Sequence, residues 1–160
     1  MLLTNHVLSG ALIGALTRRP GLAFTVGVAS HFVLDAVPHW GRLDRRRFLR
    51  VAVADGLVSL AATGAVAALS PPERRPAVVA GMAGAALPDL DKPFHLWLGR
   101  SPFPRAVIRF HNRIQHEAPG RAPMEVFAAA GLAAAALVAL RWPRAAADTP
   151  DRPSGPGRRA

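Results

Sequence analysis

GLAFTVGVASHFVLDAVPHW, residues Gly21 to Trp40, is an apolar run of helical length that ends in two histidines and an aspartate. From Gly21 to Val37 only His31 and Asp35 are ionisable. Pro38 then stops the helix, so that His39 leaves in a new direction and Trp40 falls where a membrane interface accommodates an aromatic ring. His31 and Asp35 are four apart, which puts them on one helix face a turn from each other, within reach of a shared metal or of an imidazole–carboxylate pair. An ionisable group in so apolar a segment needs a partner or a wet cavity. The run therefore reads as one wall of a polar site carried on a lipid-compatible helix.

Four further runs repeat the pattern. Leu2 to Leu16 carry only His6, Val51 to Leu69 only Asp55, Met124 to Leu140 only Glu125, and Ala77 to Leu87 no ionisable group. Basic residues collect between them, in TRRPG, PHWGRLDRRRFLR, SPPERRP and the stretch from Pro88 to Pro123. The expected fold is all-α, a small polytopic membrane helix bundle of about five hydrophobic helices plus a short interfacial amphipathic helix. The third and fifth runs approach the ~20 residues that a ~30 Å hydrocarbon core requires; the first, second and fourth are short and must tilt, insert partly or be sheltered by neighbours. A cleaved signal peptide fits Leu2 to Leu16 less well, because it lacks a basic leading region and begins with His6 in its apolar part. Gly10 with Gly14, and Gly56 with Leu60 and Gly64, are spaced to let helix backbones approach closely. Residues 1–142 form the expected membrane-embedded domain. Beyond it the Pro-, Arg- and Gly-rich residues 143–160 read as a disordered basic tail.

Charge then orients the chain. The formal charge of +10 comes from 19 Arg and one Lys against 7 Asp and 3 Glu. If successive helices alternate in direction, His6, His31, Asp35, His39, Asp55, Asp89, Asp91 and His95 all fall at one end of the bundle. That end also holds Arg42, Arg45, Arg46, Arg47, Arg50, Lys92, Arg100, Arg105, Arg109, Arg113 and Arg121, against Arg18, Arg19, Arg74 and Arg75 opposite. The excess of basic loops makes it the cytoplasmic face of a multi-pass inner-membrane protein. Membrane lipids are the expected partners, with an anionic substrate held by the arginines. No DNA-reading motif accompanies the basic residues, so no specific nucleic acid is expected.

The chemistry expected at that end follows from residue types. Cysteine is absent, so a metal must be held by imidazole and carboxylate, the donors of a hydrolytic zinc, manganese or magnesium site. In PDLD, Pro88 sets the approach, Asp89 and Asp91 sit two apart in an extended or turn segment, and Pro93 limits helix formation before His95. The expected ligands of a divalent metal, zinc first, are His6, His31, Asp35, Asp55 and Asp89, with His39 and Asp91 as the candidate catalytic residues that take a proton. Against this stands a purely structural reading, in which His31 and Asp35 form a hydrogen-bonded pair, Asp55 pairs with an arginine such as Arg50, and Asp89 and Asp91 merely end a helix. From Pro104 to Glu117, apolar residues recur among Arg105, Arg109 and Arg113 as in a helix lying on the inner leaflet. His111 and His116 are five apart there, a poor spacing for one metal. The interfacial reading is preferred, with His111 kept as an extra ligand.

MLLTNHVLSGALIGAL, ASHFVLDAVPHW and GAALPDLDKPFH together resemble the membrane-bound metal-dependent hydrolases, a group also called LexA-binding, inner-membrane-associated hydrolases. Members pair a Thr-x-His start with a Pro-Asp-x-Asp turn after a hydrophobic helix; here these are Thr4 with His6, and Pro88 with Asp89 and Asp91. The resemblance covers the first two thirds of the chain and implies a metal-dependent hydrolase; the expected metal chemistry at the membrane surface makes a phosphoester or lipid-like substrate the expectation. The chain departs from the group in lacking its downstream His-Arg-x-x-x-His element, for which FHNRIQHE, residues Phe110 to Glu117, is a loose substitute. HFVLDAVPH is also similar in order to the His-x-x-x-Asp and following His of zinc-dependent phospholipase C and nuclease proteins, which implies His31, Asp35 and His39 as zinc ligands. Two other classes use the same polar cluster. A small ion transporter spreads such groups through the bilayer, and a non-catalytic structural or partner-binding membrane protein tolerates their loss.

Overall fold

The computed structural model describes residues 1–41 and 43–142, so Arg42 and the tail expected at 143–160 lie outside it. The described residues are mostly helical: α1 (Leu3–Thr17), α2 (Pro20–Ala36), α3 (Arg45–Leu69), α4 (Arg75–Ala86), a 3-10 turn (Leu87–Leu90), α5 (Asp91–Leu98), α6 (Arg105–Ile114) and α7 (Ala122–Arg141). Two short strands, β1 (His39–Trp40) and β2 (Glu117–Ala118), pair in parallel with His39 opposite Glu117.

Local chemistry explains the breaks. Arg18 closes α1 in the left-handed conformation at φ 56° with its N–H on Gly14 O, and Pro20, which needs no donor at a helix start, opens α2. The Asp44 carboxylate caps α3 by accepting from the N–H groups of Arg46 and Arg47. The helix therefore includes Arg45, Arg46, Arg47 and Arg50, which the sequence places in a loop. Likewise Pro93 does not prevent a helix before His95: it sits in the first turn of α5, where its missing N–H has no intrahelical partner to lose.

The short helix α4 packs against both α1 and α2, with Ala77, Val78, Gly81, Met82, Gly84 and Ala85 buried. Glycine makes this possible at the two crossings. A Cβ on Gly10 would run into the carbonyl of Gly81, and one on Gly84 into that of Phe24. Gly56 and Gly64 face open space instead. Val7, Leu8, Ala11, Val66, Met82 and Leu140 lead the apolar core where α1, α3, α4 and α7 meet.

Helix directions alternate as expected. At one end the Asp55 carboxylate accepts from Leu3 N and Thr4 N while Glu125 accepts from Leu2 N, which brings together the starts of α1 and α7 and the upper part of α3. At the other end the buried Arg74 guanidinium donates to Ala139 O and Leu140 O, both at 2.8 Å, and to Trp142 O at 2.6 Å, closing the C-terminus of α7. Two helices, α3 and α7, are long and apolar enough to cross a membrane. Only 11% of the most apolar window of α3 and 22% of that of α7 is buried within the chain.

Candidate metal centre

The end of α2 brings His31 and Asp35 into the protein, both fully buried, as their four-residue spacing requires. The 3-10 turn adds Asp89 and α6 adds His111, also buried. One ligand atom from each of the four lies within 4.8 Å of all the others. His111 Nε2 is 2.8 Å and His31 Nε2 3.2 Å from Asp35 Oδ2, and the two nitrogens are 3.0 Å apart. Asp89 Oδ1 stands 3.8 Å from both nitrogens. The edges of a tetrahedron built on ~2.0–2.1 Å metal bonds are about 3.3 Å long, so these separations are of the right size for one shared ion.

The tautomer of His31 strengthens this. Its Nδ1 lies 2.7 Å from Ala85 O, which can only accept, so the ring proton sits on Nδ1 and a neutral His31 turns the lone pair of Nε2 toward Asp35. A lone pair facing a carboxylate oxygen needs either a second ring proton or a cation between them. Ligating histidines are commonly held by such a bond from the other ring nitrogen to a carbonyl. Gln115 Nε2 lies 3.2 Å from both Asp35 Oδ2 and His111 Nε2 and closes one side of the cluster. Lys92 Nζ, 2.7 Å from Asp89 Oδ1, closes another. Burial alone pushes the Asp89 carboxyl up, but the Lys92 ammonium, aided by the neighbouring imidazoles, outweighs it and holds the group below the usual carboxylate range.

The remaining expected residues are placed differently. His6 touches the cluster without joining the four: its Nε2 is 3.2 Å from Asp35 Oδ1, the oxygen that also pairs with the Met1 ammonium at 2.8 Å, and its ring stacks on His31 at 3.9 Å. Asp55, expected among the ligands, instead caps α1, because both its oxygens are taken by Leu3 N, Thr4 N and the Thr4 hydroxyl. The alternative pairing of Asp55 with Arg50 gives way to these contacts with the start of α1. His39 is buried but outside the group, since Pro38 turns the chain and the strand pairing holds it there with Nδ1 donating to Val37 O at 2.9 Å. Asp91 begins α5, and its buried Oδ1 has no hydrogen-bond partner among the described residues. His95 and His116 are exposed.

His111 is the candidate ligand that sequence spacing ranked too low. Arg105, Arg109 and Arg113 repeat every four residues and mark the outer face of α6, and a residue two positions from Arg109 and from Arg113 points the opposite way, into the protein. That offset was the available signal. Fold and site together define a helical bundle whose buried two-histidine, two-aspartate group can hold a metal ion. No known protein family, curated protein or solved structure matches the chain.

Proposed function

We propose that the protein is a multi-pass inner-membrane protein whose His31, Asp35, Asp89 and His111 hold a divalent metal, zinc first, for the hydrolysis of a phosphoester or lipid-like substrate at the cytoplasmic face. The observation that carries the metal reading is the Ala85 carbonyl on His31 Nδ1, which turns the Nε2 lone pair into a group of three further donor atoms. A divalent metal at such a site supplies a Lewis acid for a phosphoryl or carbonyl oxygen and water acidic enough to attack near neutral pH. His6 steadies Asp35 through its second oxygen, and Asp91, whose buried Oδ1 has no hydrogen-bond partner among the described residues, is the carboxylate left to accept a proton. Lys92, with its side chain two-fifths exposed, offers a positive charge to an anionic substrate at the edge of the group. The likeness of the Thr4–His6 and Pro88–Asp91 segments to membrane-bound metal-dependent hydrolases supports the same reading.

Burial of all four ligands favours a second reading, since structural zinc sites are closed by four protein ligands and serve to hold elements together. One set of measurements separates the possibilities. Detergent-purified protein is expected to carry about one zinc per chain, to lose it in the His31→Ala, His111→Ala double variant, and to keep it in Asp55→Ala, which removes a cap and no ligand. Folded protein that binds no metal sinks the site. Metal without turnover of bis-p-nitrophenyl phosphate or a phospholipid leaves the structural role standing and overturns the hydrolase.

A further inference from the structure

Lys92 to His116 form a strap across the ligand end of the bundle, containing α5 and α6 and five basic residues, Lys92, Arg100, Arg105, Arg109 and Arg113, without one acid. The strap holds two sides of the metal centre. His111 comes from α6, and α5 continues directly from the turn that bears Asp89. Its own packing is thin: α5 buries no residue and α6 buries only His111. Leu90, Phe94, Trp97 and Leu98 recur at the spacing of one helix face and are all exposed, Trp97 by 75%. On α6 the basic residues face out and His111 faces in.

An apolar stripe beside a wholly basic segment matches one surface, the boundary of a leaflet rich in anionic phospholipid, where the rings and leucines enter the acyl edge and the arginines meet phosphates. A protein partner of matching acidity would complement the arginines but leave the outward Leu90–Leu98 stripe without a reason to sit beside an apolar bundle. We infer that the strap docks on anionic phospholipid, and that this docking and metal binding at His31, Asp35, Asp89 and His111 favour each other. The inference rests on the metal reading above. The physical reason is that the stripe already points outward while the ligands point inward, so lipid can seat on the strap without disturbing them. A weakly packed strap held in place by lipid spends less of its time away from the other ligands, and the metal then meets a preformed site. Linkage makes the effect reciprocal.

The test uses the full chain in nanodiscs of phosphatidylcholine alone or with phosphatidylglycerol, with zinc affinity measured in each by chelator competition. Zinc is expected to bind at least about fivefold more tightly with phosphatidylglycerol. The difference should shrink at high salt, and it should vanish in the Trp97→Ser, Leu98→Ser variant, whose altered residues are exposed and leave the fold intact. Equal wild-type affinities in the two discs overturn the coupling while leaving the metal centre in place; so does a variant that keeps the full difference. Absence of zinc from both discs sinks the metal centre itself, and the inference with it.

Discussion

His31 shows how one side chain turns a position into a site. Its ring is fixed at one nitrogen by Ala85 O at 2.7 Å and aimed with the other at Asp35 Oδ2 and His111 Nε2. Lys92 is the counterpart on the opposing ligand, since its ammonium occupies Asp89 Oδ1 at 2.7 Å and so competes with any cation for that oxygen. Lys92→Met is therefore expected to tighten zinc binding. Unit charges at ~4 Å in water interact by about 1 kcal/mol, and exposure of the lysine keeps the gain to about fivefold or less, readable by the same chelator competition. The sign of its effect on pH stability runs the other way. Asp89 is held low in the folded protein, so its stabilisation is present above the ordinary carboxylate range and is lost as pH falls through the depressed value. Lys92→Met should shift the acid unfolding midpoint of metal-free protein upward, and an unchanged midpoint counts against the ion pair.

At the scale of elements, close backbone contacts at Gly81 and Gly84 set how α4 packs against α1 and α2. Gly81 faces the Gly10 carbonyl with no room for a methyl group, whereas Gly64 on α3 faces nothing. Gly81→Ala is expected to cost about 1–3 kcal/mol by forcing the helices apart. Gly64→Ala should be neutral or stabilising by up to ~1 kcal/mol through helix propensity. Thermal unfolding in detergent measures both, and a Gly81→Ala protein as stable as the parent would disprove the close crossing. The small-residue spacing Gly10–Gly14 was thus legible as a packing motif. The run Gly56, Leu60 and Gly64, with the same four-residue steps, was not distinguishable from it in sequence, because spacing says which residues share a face and not which helix lies opposite.

For the whole molecule, the question is where the exposed apolar faces of α3 and α7 rest. Leu57, Val58 and Leu60 of α3, and Val126 and Phe127 of α7, are all more than half exposed, on helices long enough to span a bilayer. The chain has no cysteine, so single substitutions report position cleanly. In membranes, Val58→Cys is expected to resist a water-soluble maleimide while Arg45→Cys and Pro72→Cys react, each from a different side. Rapid labelling of Val58→Cys in intact membranes would remove α3 from the bilayer. The apolar runs foretold the five bundle helices to within a few residues at most boundaries. The start of α3 was missed because the Asp44 cap, rather than hydropathy, decides where it begins.

The sequence by itself determined the helical class, because hydropathy and proline act locally, and it placed the polar groups at one end once successive helices were taken to alternate in direction. It also placed His31 beside Asp35, a relation internal to one helix. Tertiary structure alone decided which of the gathered groups meet. Asp55 went to the start of α1, and His39 to a strand pairing, while His111 crossed from a helix 76 residues beyond Asp35 to lie 2.8 Å from it. The reason is that a metal site is a coincidence of side-chain directions from separate elements, and those directions are set by how helices cross, through contacts such as Gly10 on Gly81 that no single segment contains.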